Sequence, residues 1–160
     1  MNKKVLITSA IERLNDSILA LQSELEKAVD AATNEETIPD GKYDTLALEA
    51  SYLVHGQTVR LGEMRSDVTT LESLPLRMFS NDEAVALSAI VEVIDEHDNH
   101  KTYFLVPCAG GLTVMNDETL ITLVTPYSPM GKALLTRHCD EEFSLEIGGK
   151  VCQYDIVSIS

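Results

Sequence analysis

The feature that most constrains this chain is a seven-residue repeat near its start. From Ile7 to Ala28 the apolar positions are Ile7, Ile11, Leu14, Ile18, Leu21, Leu25 and Ala28, separated alternately by four and three residues. That spacing lays one narrow apolar stripe along an α-helix, the seam of a coiled coil. Thr8-Ser9 can cap its start, and neither proline nor glycine interrupts it. Glu12, Arg13, Asp16, Glu24, Glu26 and Lys27 fall between the seam positions and suit a solvated face. The pattern stops in residues 33–41, where Pro39 and Asp40-Gly41 signal a turn. It resumes with Leu46, Ala50, Leu53, Gln57, Leu61, Met64, Val68, Leu71 and Leu74, with Gln57 as a polar seam position and a stutter between Gln57 and Leu61. Two long amphipathic helices joined by a short turn must lie antiparallel, because each has only the other against which to bury its stripe. Residues 1–75 therefore read as a coiled-coil helical hairpin. Its first helix, of about 26 residues, would be roughly 40 Å long at ~1.5 Å per residue.

After Pro75 the period changes. Residues 86–94, 101–106, 120–124, 142–147 and 151–159 are rich in β-branched and aromatic side chains, and Gly148-Gly149 joins the last two as a tight hairpin. Pro129 to Thr136 has helical character, with Ser128 as N-cap and Pro129 at the first helical position. The expected fold class is α+β: the hairpin, then a small antiparallel sheet domain with one short helix over residues 76–160. Residues 75–82 form the connection, and Leu76, Met78 and Phe79 imply that it packs rather than swings.

Composition narrows the functions. With 12 basic and 26 acidic residues among 160 the net charge is −14, a surface that double-stranded nucleic acid repels. A partner presenting a positive channel would attract it. Residues 1–75 carry seven basic and thirteen acidic residues, net −6, and the basic ones do not cluster. No apolar run is long enough to span a membrane, and no secretory leader precedes the heptads, so a cytoplasmic protein is expected. Cys108, Cys139 and Cys152 have neither the number nor the spacing of a disulfide framework or zinc site and read as buried thiols. His97-Asp98-Asn99-His100 reads as a solvated hairpin loop rather than a metal site.

The segment Thr125-Pro126-Tyr127-Ser128-Pro129-Met130-Gly131-Lys132-Ala133-Leu134-Leu135 resembles the bacterial transcription elongation factors GreA and GreB. That family carries Ser-Pro-x-[Gly/Ala]-x-[Ala/Gly]-Leu-[Leu/Ile] after a strand, then two strands closed by a glycine hairpin. Here Cys139 to Leu145 and Gly148 to Ile159 occupy those places, with Cys139 where the family usually has glycine. In architecture the resemblance covers the whole chain, hairpin first and FKBP-like domain second.

The resemblance implies a mechanism. Such factors bind RNA polymerase through the C-terminal domain and insert the hairpin into the secondary channel. Acidic residues at the tip then help to hold the second catalytic Mg²⁺ and a water while the polymerase cleaves backtracked RNA. The factor is no enzyme itself, binds no cofactor of its own, shares Mg²⁺ only within the polymerase and meets nucleic acid only indirectly; a monomer is expected. A carboxylate delivered from outside raises the occupancy of a weakly held ion. The docking role carries over to Ser128, Pro129, Met130 and Leu134, although Leu134 also suits the core.

At the tip the family shows Asp-Leu-x-Glu-Asn-Ala-Glu-Tyr, whereas this chain has Asp44-Thr45-Leu46-Ala47-Leu48-Glu49-Ala50-Ser51-Tyr52. Anchoring on Tyr52 aligns Glu49 and Asp44 with the family's acids, but five residues apart rather than three. If the apex lies earlier, Glu36 and Asp40 become the acting acids. The altered spacing and absent basic patch favour an alternative, a secondary-channel regulator that competes with Gre factors without promoting cleavage. A second alternative is a prolyl isomerase or peptide-binding module. It has little support in a chain with 5% aromatic residues and no tryptophan.

Overall fold

The computed structural model describes residues 1–35 and 43–160, with side chains for residues 1–31 and 48–160. The first helix, α1, runs Lys3–Glu35, and the second, α2, runs Tyr43–Glu72. At 33 residues α1 is about 50 Å long. It begins ahead of Thr8-Ser9, and the capping role falls to Asn2, whose Oδ1 accepts from the Lys4 amide at 3.1 Å. The early start adds Leu6 and Ala10, both fully buried, to the apolar positions of the helix.

The chain forms two compact units, Glu12–Thr69 and a second that joins Met1–Ile11 to Thr70–Ser160. In Glu12–Thr69 the two helices pack through Ile18, Leu25 and Leu61, flanked by Leu21, Val54, Met64 and Val68. Each buried aliphatic contributes about 1.5–3 kcal/mol. The seam on α2 differs from the expected one. Leu53 is 63% exposed and Val54 packs in its place. The seam then runs Val54, Gln57, Leu61, Met64, Val68, Leu71, in steps of three, four, three, four and three. No stutter is needed. The isolated Leu53 had drawn the heptad onto the wrong register, because hydropathy alone cannot tell a seam leucine from an exposed neighbour.

The second unit holds six strands: β1 (Ile90–Asp95), β2 (His100–Leu105), β3 (Thr113–Asn116), β4 (Thr119–Val124), β5 (Glu142–Ile147) and β6 (Lys150–Ile159). The short helix α3 spans Pro129–Leu134. Sheet order is β3-β4-β2-β1-β6-β5. Most neighbours are antiparallel, but β2 and β4 run parallel, with Thr102 opposite Ile121 and Leu105 opposite Val124. The sheet is therefore mixed. The chain leaves β2, crosses to the outer strand β3, and turns back as β4 between them, a route that forces β4 into the direction of β2. Strand β3 was not expected, being four residues with one buried side chain, Val114.

Turn chemistry behaves as read. Gly148 and Gly149 have φ of +59° and +80° between paired Ile147 and Lys150, the conformation a two-residue hairpin requires. In the 95–100 loop Asp95 Oδ1 accepts from the amides of His97 and Asn99, both at 3.0 Å, and Asp98 takes a left-handed φ of +62°. Those bonds, with Lys101, hold the Asp95 carboxyl well below the usual carboxylate range.

One sheet face builds the main core from Val91, Val93, Leu105, Val124, Phe143, Tyr154, Ile156 and Ile159, closed by Phe79, Val85, Met130 and Leu134. Ile90, Phe104, Ile121 and Leu123 on the other face are also buried. The connecting segment does pack: Phe79 is buried and the Arg77 amide donates to Ser88 Oγ at 2.9 Å. Met78, between them, is 80% exposed.

Candidate functional site

The Ser-Pro segment is a short helix held down at its start. Ser128 sits at the N-cap with extended backbone, and its Oγ accepts from the Gly131 amide at 3.1 Å. The same hydroxyl donates to the Thr125 carbonyl at 2.8 Å, and the Ser128 amide donates to that carbonyl at 3.0 Å. One carbonyl therefore anchors the cap to the end of β4. Pro129 at the first helical position needs no amide partner. Gly131 has a steric role. A Cβ there would lie 1.9 Å from the Thr125 oxygen, so any side chain forces the helix off the strand end. The far end is tied by paired bonds: the Thr136 amide to the Val85 carbonyl at 2.9 Å and the Val85 amide to the Arg137 carbonyl at 2.8 Å.

This geometry sorts the four residues assigned to docking. Met130 and Leu134 are 8% and 0% exposed and belong to the core. Ser128 spends its hydroxyl on the cap. Pro129 is exposed and faces outward with Tyr127, which is 81% exposed, and Lys132. Tyr127 was missed in the sequence. The signal was there: Tyr127 immediately precedes the N-cap, and the fourth helical residue is Lys132, which cannot form the apolar staple that usually covers an aromatic in that position.

Cys139, where the resembling family has glycine, turns inward. Its Sγ donates to the Val157 carbonyl at 3.1 Å. Burial, with the charge of Asp140 beside it, pushes its thiol above the ordinary value, so it stays protonated and structural.

No protein-family model and no curated protein matches the chain. Its structural neighbours over nearly the full length are transcription factors. The transcription factor Gfh1 is 20% identical, with 94% of this chain and 93% of that one covered and a TM-score of 0.42. The GreA factor homolog 1 of Thermus thermophilus is 21% identical, with 95% of each covered and a TM-score of 0.40. The GreA/GreB elongation factor of Nitrosomonas europaea is 22% identical over 56% of this chain and 65% of that one, with a TM-score of 0.38.

The acids assigned to the tip fall unevenly. Glu36 and Asp40 lie outside the described residues. Asp44 stands in the first turn of α2, and Glu49 one and a half turns later on the same unbroken helix. Positions five apart are separated by about 140° around the axis, so 44 and 49 do not share a face. Glu49 is exposed, as is Tyr52, one turn on. Among the described residues no group of three His, Cys, Asp or Glu side chains stands close enough to hold a metal ion.

The histidines of the 97–100 loop are exposed and take local partners, His100 Nδ1 with Glu92 Oε1 at 2.8 Å and His97 Nε2 with Glu96 at 3.7 Å. All three phenylalanines and Tyr154 are buried, with Phe143 and Tyr154 stacked at 5.4 Å. Those four aromatic side chains are used inside the core.

Proposed function

We propose that this chain binds RNA polymerase through the exposed edge of the α3 segment and carries its acidic helical hairpin into the polymerase's secondary channel, where a tip carboxylate assists cleavage of backtracked RNA. The observation that carries the reading is the Ser128-Pro129 turn. Its cap, its glycine and its buried Leu134 hold Tyr127, Pro129 and Lys132 as an exposed edge on a rigid base. The long hairpin with thirteen acids in residues 1–75 supplies the second part. Chemistry stays with the polymerase: Mg²⁺ is shared in its active site, and the chain's own contribution is to bind, to reach and to present a carboxylate. A cytoplasmic monomer suits insertion of one hairpin into one channel.

The separation of Asp44 and Glu49 around α2 favours a second reading, in which the chain occupies the channel and competes with cleavage factors without promoting cleavage. A polymerase pull-down followed by incubation of a backtracked complex with Mg²⁺ separates the readings. Binding with shortened RNA supports the first. Binding with unchanged RNA and inhibition of another factor's cleavage supports the second. Absence of binding removes both.

A further inference from the structure

The start of α1 and the connecting segment 76–78 form a groove of about 410 Å³, lined chiefly by Lys3, Lys4, Leu76, Arg77 and Met78. We propose that this groove is a docking site for an acidic peptide segment of a partner protein, one that places a large apolar side chain against Leu76 and Met78 while its carboxylates meet Lys4 and Arg77.

Charge complementarity singles out the place. The molecule carries 26 acidic residues against 12 basic ones, so an acidic segment is repelled by most of its surface. Three of those twelve cations line this one groove. The first turn of α1 contains no acidic residue, and the positive end of that helix's dipole adds to the field. Glu83 pairs with Arg77 at 3.1 Å, and Lys4, also lining the groove, is exposed.

The groove is also pre-formed. The buried Lys3 ammonium donates to the Arg77 carbonyl, and both Lys3 and Arg77 stack over the Phe79 ring at 4.7 Å from its centroid. Burial chiefly, and then repulsion by the Arg77 charge, bring the Lys3 pKa down to about 8. A carboxylate arriving here relieves that repulsion. Met78, at 80% exposure, is among the most solvated apolar side chains described, and it stands between Arg77, whose amide and carbonyl are both hydrogen-bonded, and the buried Phe79. An apolar wall beside fixed cations suits a peptide side chain better than a phosphate backbone, which has no apolar part to place there.

The probe is a fluorescein-labelled peptide of twelve residues, alternating Asp and Glu around one central Phe, titrated with the full chain and read by anisotropy. A version with Ser for Phe and a twelve-nucleotide single-stranded RNA are run beside it. The Phe peptide is expected to bind saturably. Lys4→Glu and Met78→Asp should each weaken it at least tenfold, while Lys150→Glu, the same charge change at the β5–β6 turn, should alter it less than twofold. The Ser peptide should bind at least fivefold more weakly. Both groove variants alter exposed side chains, and an unchanged circular dichroism spectrum confirms that they fold. Failure of the Phe peptide to saturate, equal binding of the Ser peptide, tighter binding of the RNA, or an equal loss in Lys150→Glu would each overturn the proposal. None of these outcomes depends on polymerase, so the result stands apart from the proposed function.

Discussion

The two units of this protein are built on unequal foundations. Residues 12–69 rest on one seam, with Leu14, Ile18, Leu25 and Leu61 among its buried side chains and a ring of half-buried neighbours. The unit joining residues 1–11 to 70–160 buries side chains on both faces of a six-stranded sheet, with Phe104, Leu105, Ile121, Leu123 and Leu134 all at zero exposure. A two-helix seam excludes water from one line of contacts, whereas a sheet covered on both faces excludes it from two layers. The lesson is a division of labour. The sheet unit holds the exposed edge at Tyr127, Pro129 and Lys132 to fixed geometry, and the hairpin is the part that can open locally at lower cost.

The sharpest way to break that contrast is Phe104→Ala. Truncating a fully buried phenylalanine costs about 3–5 kcal/mol, and the loss should appear as collapsed amide-exchange protection across β1, β2 and β4 while residues 12–69 keep theirs. Parallel loss in both units would mean that they fold as one. Leu61→Ala, expected at about 2–5 kcal/mol, reverses the pattern: exchange protection falls between residues 12 and 69, and the sheet amides hold. Ser128→Ala is a smaller change. Losing the cap bond to the Gly131 amide should cost about 1 kcal/mol in urea denaturation, with Tyr127 and Pro129 losing their fixed placement before the domain unfolds. A further contrast lies in the pH dependence. Lys3 in the folded chain titrates near pH 8 against an ordinary value of 10.5. Between those values the unfolded chain holds the proton and the folded chain has released it, so stability should rise with pH across that window. In Lys3→Met this contribution to the rise disappears, which denaturation at pH 7.5 and pH 10 can measure.

The same contrast explains what could be read in the sequence. Period is local, so both helices, the glycine hairpin at 148–149 and the Ser128 cap were visible in the residues themselves. Register is not local: Leu53 and Val54 are equally apolar, and only the partner helix decides that Val54 packs. Strand β3 was invisible because four residues with one buried valine carry little pattern, and with it went the parallel pairing of β2 and β4. Tyr127 shows only through the missing staple partner at Lys132, a weaker signal than the Ser128-Pro129 cap itself. The cationic groove was hidden for a different reason. Lys3 and Lys4 are more than seventy positions from Arg77, and the sequence shows no basic cluster. Only the fold places them side by side. Of the candidate acids, Glu49 alone has a described side chain, and its distance from position 44 along the helix is the one property of the pair that sequence and structure share.

The proposed function assigns polymerase docking to the α3 edge and delivery of a carboxylate to the hairpin. The most direct measurement is RNA length in a backtracked RNA polymerase complex, read together with binding of the labelled protein, for Tyr127→Asp and for Asp44→Asn combined with Glu49→Gln. The account predicts that Tyr127→Asp loses binding and cleavage together, while the tip variant binds as the unaltered protein does and leaves the RNA uncut. Cleavage that survives loss of both tip acids, or binding that is indifferent to Tyr127, would contradict it.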